Sequence, residues 1–112
     1  MNGHSYRVHW ADVSWETARR LCEESGGHLV CIETRNENEL MVKLARGRAL
    51  WLGLVHDGEG RWSWVNNGNF FFNYWSLGEP SLPGADAHVL TTPNGAWKTS
   101  TGRAGFICEW DD

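Results

Sequence analysis

Positive charge is the first thing this sequence is short of. Ten Lys and Arg stand against fourteen Asp and Glu, a formal charge of -4, which argues against a dedicated surface for nucleic acid or for an anionic membrane. Long apolar runs are also missing. None approaches the roughly 20 residues of a membrane-spanning helix, and the opening stretch MNGHSYRVHW lacks the charged and apolar regions of a signal peptide. The three cysteines, Cys22, Cys31 and Cys108, are too few for a dense disulfide framework. They lack the CxxC or HxxxH spacing of a zinc site and suit one disulfide and one spare thiol. There is no GxSxG, no HExxH, no phosphate-binding glycine loop and no His that pairs with Cys31, so catalysis is not expected.

What is present is a globular balance. With 112 residues, 41% hydrophobic and 21% charged, one folding unit over residues 1–112 is expected, with enough apolar side chains for one core. Eight tryptophans against two methionines and four phenylalanines predict a core of rigid rings whose N–H groups need partners, within an irregular, loop-rich domain.

Local signals predict the order of elements. Tyr6 to Trp10 alternate weakly, as an edge strand does. Ser14 is placed to cap a helix with Trp15, Ala18, Leu21 and Cys22 on one face, ended by Gly26-Gly27. HLVCIE reads as a strand, and Thr34 with Glu37 forms a capping box ahead of a second helix running to about Gly47. ALWLGLV, RWSWV, NFFFNYW, HVLTT and GFICEW then read as strands. Between them Ser76 to Asp86, with two prolines and two glycines and no periodicity, is a long surface loop. If Phe70-Phe71-Phe72 is a strand, at least one ring faces away from the core.

The order and spacing of certain pieces carry a resemblance. They are Trp15 with Ala18 and Cys22, Gly26-Gly27 with Leu29-Val30, Thr34 with Glu37, Trp51-Leu52-Gly53-Leu54, Gly60 with Trp62 and Trp64, Gly78-Glu79-Pro80, Trp97, and Phe106 to Glu109. Together they resemble the C-type lectin-like domain over nearly the whole chain. The resemblance implies an α+β fold of two helices and antiparallel sheets, a long loop carrying the ligand surface, and a disulfide from Cys22 to Cys108, the alternative being two buried reduced thiols. It places six tryptophans, Trp15, Trp51, Trp62, Trp64, Trp75 and Trp97, in the scaffold. The family's second disulfide would join positions that here are Ala87 and Gly102, so that bond is absent.

The family resembles a calcium clamp where it binds sugar, with oxygen ligands from an EPN motif, a following acid, and Asn-Asp after the Trp. The matching positions here are Glu79, Ser81, Ala85, Lys98 and Thr99. Only Glu79 keeps a carboxylate and Lys98 brings a charge of the cation's own sign, so no cofactor is expected there, and an ion pair from Lys98 to Glu79 is expected in the metal's place. An auxiliary calcium site at Asp57, Glu59 and Asp86 lacks ligands at Leu82 and Ala85, and DGEG is what a polar turn needs. A structural calcium on Glu37, Glu109 and the Ile32 carbonyl competes with the capping role of Glu37.

The expectation is therefore a non-catalytic recognition module, a domain of a larger extracellular or cell-surface protein. It binds a protein or glycan without calcium through exposed Glu79, Ser81, Asp86, Lys98 and Thr99. The alternatives are a calcium-dependent lectin with atypical ligands and a structural accessory domain.

Overall fold

A computed structural model of the chain describes residues 3–68, 70–81 and 87–111. The elements are β1 (His4–Val13), α1 (Trp15–Glu24), β2 (His28–Leu29), α2 (Arg35–Ala45), β3 (Leu50–Trp51), β4 (Leu54–His56), β5 (Trp62–Trp64), β6 (His88–Thr91), β7 (Trp97–Ser100) and β8 (Ala104–Asp111). The main sheet runs β1-β8-β3-β6-β7 with β2 also on β8, and β4 pairs β5 in a second, two-stranded sheet. This is an α+β arrangement. Among the described residues no helix is long and apolar enough to cross a membrane.

Both helices start where their capping residues direct. Ser14 is extended and its Oγ accepts from the Thr17 N–H at 3.2 Å, while Thr34 Oγ1 accepts from Glu37 N–H at 3.1 Å. Glu37 reaches back one residue further than a capping box requires, accepting from the Glu33 N–H at 2.7 Å. α1 buries Trp15, Ala18 and Cys22. Leu21 lies off this stripe and is 38% exposed, because it follows Ala18 by three residues on the far side from Cys22. Gly27 lets the helix end settle on the last strand, since a Cβ there would meet the Glu109 carbonyl at 2.6 Å.

β8 is paired on both edges. β1 runs antiparallel to it from His4↔Asp111 to Val13↔Ala104, and the other edge takes β3 in parallel at Leu50↔Gly105 and β2 at His28↔Glu109 and Leu29↔Cys108. One core cluster lies on each face of this sheet. Trp64, Trp97 and Ile107 are in one, and Trp15, Trp51 and Phe106 in the other. The indole N–H groups of Trp15, Trp51 and Trp97 donate to Leu52 O at 2.8 Å, Val13 O at 2.8 Å and Asn38 Oδ1 at 2.9 Å. Trp62 and Trp75 are half-buried against the first cluster, so four of the six scaffold tryptophans are fully inside.

NFFFNYW departs from the expected strand. Phe70 to Tyr74 have no ladder, and only Trp75 bridges, in parallel, to Trp97. Phe70 and Phe72 turn inward to the tryptophans while Phe71 is 85% exposed. The alternation is real, but packing on Trp75 and Trp97 sets it rather than strand pairing.

Cys22 and Cys108 are bonded, with Cα atoms 5.3 Å apart and a sequence separation of 86. Closing so long a loop restricts the unfolded chain. Reduction, or Cys22→Ala with Cys108→Ala, is expected to lower unfolding stability in urea by about 4 kcal/mol on the chain-entropy account, and a loss under about 1 kcal/mol contradicts it.

Candidate functional site

The stretch 76–81 is fastened to β7 by backbone bonds at Trp97 and by the Glu79 side chain. Glu79 follows the turn closed by its own N–H donating to Ser76 O at 3.0 Å, and its peptide to Pro80 is cis. Its carboxylate collects four donors. Oε1 accepts from Ser81 N–H at 3.0 Å, Thr99 N–H at 2.9 Å and the Thr99 hydroxyl at 2.8 Å, and Oε2 accepts from the Ser81 hydroxyl at 3.0 Å. Partial burial pushes the carboxyl pKa up, but the bonds from Thr99 and Ser81 outweigh it and hold the group below its ordinary value.

This geometry corrects two expectations. Glu79 is half-buried and held inward rather than exposed, and Thr99 is buried at 5% exposure. No ion pair joins Glu79 to Lys98, because β7 alternates: Trp97 and Thr99 point in and Lys98 points to solvent. Of the five expected contact residues the structure brings Glu79, Ser81 and Thr99 together, turns Lys98 to solvent on the other side of β7, and Asp86 lies outside the described residues. Among the described residues the side-chain metal ligands on offer here are one carboxylate and two neutral hydroxyls. At the auxiliary position Asp57 closes a turn, accepting from Glu59 N–H at 2.7 Å and Arg61 N–H at 3.1 Å, which holds its carboxyl below the usual range. Leu82 and Ala85 lie outside the described residues.

A second cluster sits at the far end of β8. Glu109 is 1% exposed. Its Oε1 accepts from Cys31 N–H at 2.9 Å, and its Oε2 is hydrogen-bonded to His4 Nδ1. His28 places Nε2 2.8 Å from Asp111 Oδ2 and Nδ1 2.7 Å from Leu29 O. The Cys31 Sγ is 3.6 Å from that same Nδ1 and donates to Leu29 O at 3.4 Å. Burial pushes the Cys31 thiol far up and also raises Glu109 against the pull of Cys31 N–H and His4. The bond to Glu109 raises His4, and at His28 burial is outweighed by Leu29 O and Asp111. His28, Cys31 and Glu109 form one group of potential ligands and His4, Glu109 and Asp111 another. Glu37 is in neither.

No histidine is expected to pair with Cys31 from the sequence, and the structure corrects this with His28 Nδ1 at 3.6 Å from its Sγ. His28-x-x-Cys31 was a visible signal. That Glu109 lies opposite His28 depends on strand register, which no local pattern prints. His88 is buried at 7% exposure, stacked on Trp15 at 3.8 Å with Nε2 3.0 Å from Glu16.

Residues 11–110 match the sequence profile of the Lectin C-type domain. The chain is 30% identical to C-type lectin domain family 4 member G of Mus musculus over 96% of its own length and 39% of that protein's. It is also 30% identical to the hepatic lectin of Gallus gallus, over 96% of this chain and 55% of that one. The chain thus spans between 39% and 55% of the length of these two relatives. Its fold superposes on the cow C-type carbohydrate-recognition domain of CD23, solved in the presence of a GlcNAc2Man3 oligosaccharide. The TM-score is 0.91 at 27% identity, covering 100% of this chain and 91% of that one. A calcium-independent type II antifreeze protein shares the fold at TM-score 0.92 and 19% identity, over 99% of this chain and 88% of that one. The Cys22–Cys108 staple, the tryptophan core and the glutamate-centred loop base are built on that fold, and the chain belongs to the C-type lectin domain family.

Proposed function

We propose that the chain is a non-catalytic recognition module that binds a protein or glycan partner without calcium, through the face carrying Glu79, Ser81, Lys98 and Thr99, with Asp86 on the same loop. The observation that supports this reading is the Glu79 carboxylate. Four N–H and O–H donors from Ser81 and Thr99 occupy it where a hard cation would need it free, and among the described residues the hydroxyls beside it carry no second charge. Glu79 and Thr99 support the loop base from within, Ser81 is exposed on it, and Lys98 is exposed on the outward side of β7. A half-buried carboxylate satisfied by fixed donors keeps the loop base ordered before binding, which lowers the cost of association.

We read residues 1–112 as one module of a larger protein, in keeping with the fraction of the relatives' length that it matches. The disulfide supports an extracellular or cell-surface setting.

Millimolar calcium is expected to leave the melting temperature unchanged, and a glycan or protein array is expected to give the same hits with and without chelator. A rise in melting temperature with calcium, together with chelator-sensitive hits, contradicts the reading and favours a calcium-dependent lectin. Lys98→Ala is expected to change stability by less than about 0.5 kcal/mol. The same change is expected to weaken a partner found on the array by about 1 kcal/mol or more, and unchanged affinity moves the contact to the exposed Phe71 side.

Glu79→Ala is expected to cost about 1 to 2 kcal/mol in urea denaturation, because it strips acceptors from the buried Thr99. Since the folded carboxyl sits below its ordinary pKa, its stabilisation is complete above that ordinary value and is lost as pH falls through the lowered one. The gap between wild type and variant should be full near neutrality and close below about pH 4. A gap that persists at lower pH contradicts the role given to the charge.

A further inference from the structure

The cluster beneath the end of β8 has no part in the recognition face, and its composition points elsewhere. Among the described residues it gathers an imidazole, a thiol and a carboxylate whose ligand atoms all lie within 4.8 Å of one another. We propose that His28, Cys31 and Glu109 form a structural binding site for a borderline-soft divalent cation, zinc above others, with Asp111 and His4 holding the ligands from outside.

The donor types select the metal. Nitrogen, sulfur and one carboxylate oxygen suit zinc, whereas calcium takes oxygen ligands and has no use for a thiol. The spacing agrees. Ordinary Zn–N and Zn–S lengths at a tetrahedral angle put the two ligand atoms about 3.6 Å apart, and His28 Nδ1 lies 3.6 Å from Cys31 Sγ. The ligand positions are set by backbone pairing rather than by free side chains, since His28 is in register with Glu109 across β2 and β8.

The outer contacts are those a metal site needs. Asp111 Oδ2 at 2.8 Å engages His28 Nε2, so Nδ1 is the nitrogen turned toward Cys31. This is a carboxylate–histidine arrangement of the kind that orients a metal ligand. Glu109 is steadied in turn by the Cys31 N–H and by His4. Without metal, His28 Nδ1 and the Cys31 thiol both engage the Leu29 carbonyl, at 2.7 and 3.4 Å. The cation would replace the thiol proton, which leaves to solvent, and turn the His28 ring off the Leu29 carbonyl so that the Nδ1 lone pair faces the metal. Water completes the fourth position on the side where the His28 ring is part-exposed. Bound there, the ion would tie β2 to β8 next to the disulfide at Cys108.

The test uses the full chain with its disulfide intact and the Cys31 thiol shown to be free, stripped with chelator. It is titrated with zinc by calorimetry and with cobalt by absorption. The expected result is one ion per chain, a sulfur-to-cobalt charge-transfer band, and the intense visible bands of tetrahedral cobalt. Cys31→Ala and His28→Gln should each abolish the charge-transfer band or weaken zinc at least 100-fold, and Asp111→Asn should weaken it about 10- to 100-fold. If Cys31→Ala does not fold, His28→Gln decides, because that ring is part-exposed and its metal-free melting temperature reports folding. A cobalt spectrum without the sulfur band overturns the site. So does zinc affinity that is equal in wild type and His28→Gln, or a melting temperature raised by calcium and not by zinc.

Discussion

β8 is the element that the rest of the molecule is fastened to. Six of its eight residues are buried, its two edges carry β1 on one side and β2 with β3 on the other, and Cys108 bonds it to α1. A strand in that position must be apolar on both faces, and Ala104-Gly105-Phe106-Ile107-Cys108 supplies this. Ile107 enters one core cluster and Phe106 with Cys108 the other. Glu109 breaks the apolar run, and its burial is tolerated because Cys31 N–H and His4 engage both oxygens.

The loop base on β7, with β3 and β6 between it and β8, is held by a different device. The family's second disulfide is missing at Ala87 and Gly102, yet the loop base is held. Trp97 N–H donates to Tyr74 O and Ser76 N–H to Trp97 O, both at 2.8 Å, and Glu79 then closes on Thr99. Backbone bridging sets the loop against β7 and a charged acceptor locks it, so a carboxylate that could have faced a ligand serves the scaffold instead. The projecting charge is left to Lys98, on the solvent side of the alternation.

Much of this was legible in the sequence because it is local. Ser14 and Thr34 cap their helices, the indole N–H groups of Trp15, Trp51 and Trp97 find acceptors while that of buried Trp64 has none, and Cys22 lies on the buried stripe. The misses share a cause. Phe70 to Tyr74 alternate like a strand but pack on Trp75 and Trp97 without a ladder, and Lys98 was aimed at Glu79 by adjacency when strand parity turns it away. The His4, His28, Cys31, Glu109 and Asp111 cluster depends on register between segments some eighty residues or more apart along the chain, and period and propensity carry no register.

If β8 is the common support, its amides should be the last to exchange. Native-state hydrogen exchange across low urea concentrations reads this residue by residue. The expected result is that the hydrogen-bonded amides of Phe106 to Glu109 exchange only through global unfolding, while those of residues 74–81 open earlier through a smaller, local event. Exchange of the β8 amides at a lower opening free energy than the loop base would contradict the account.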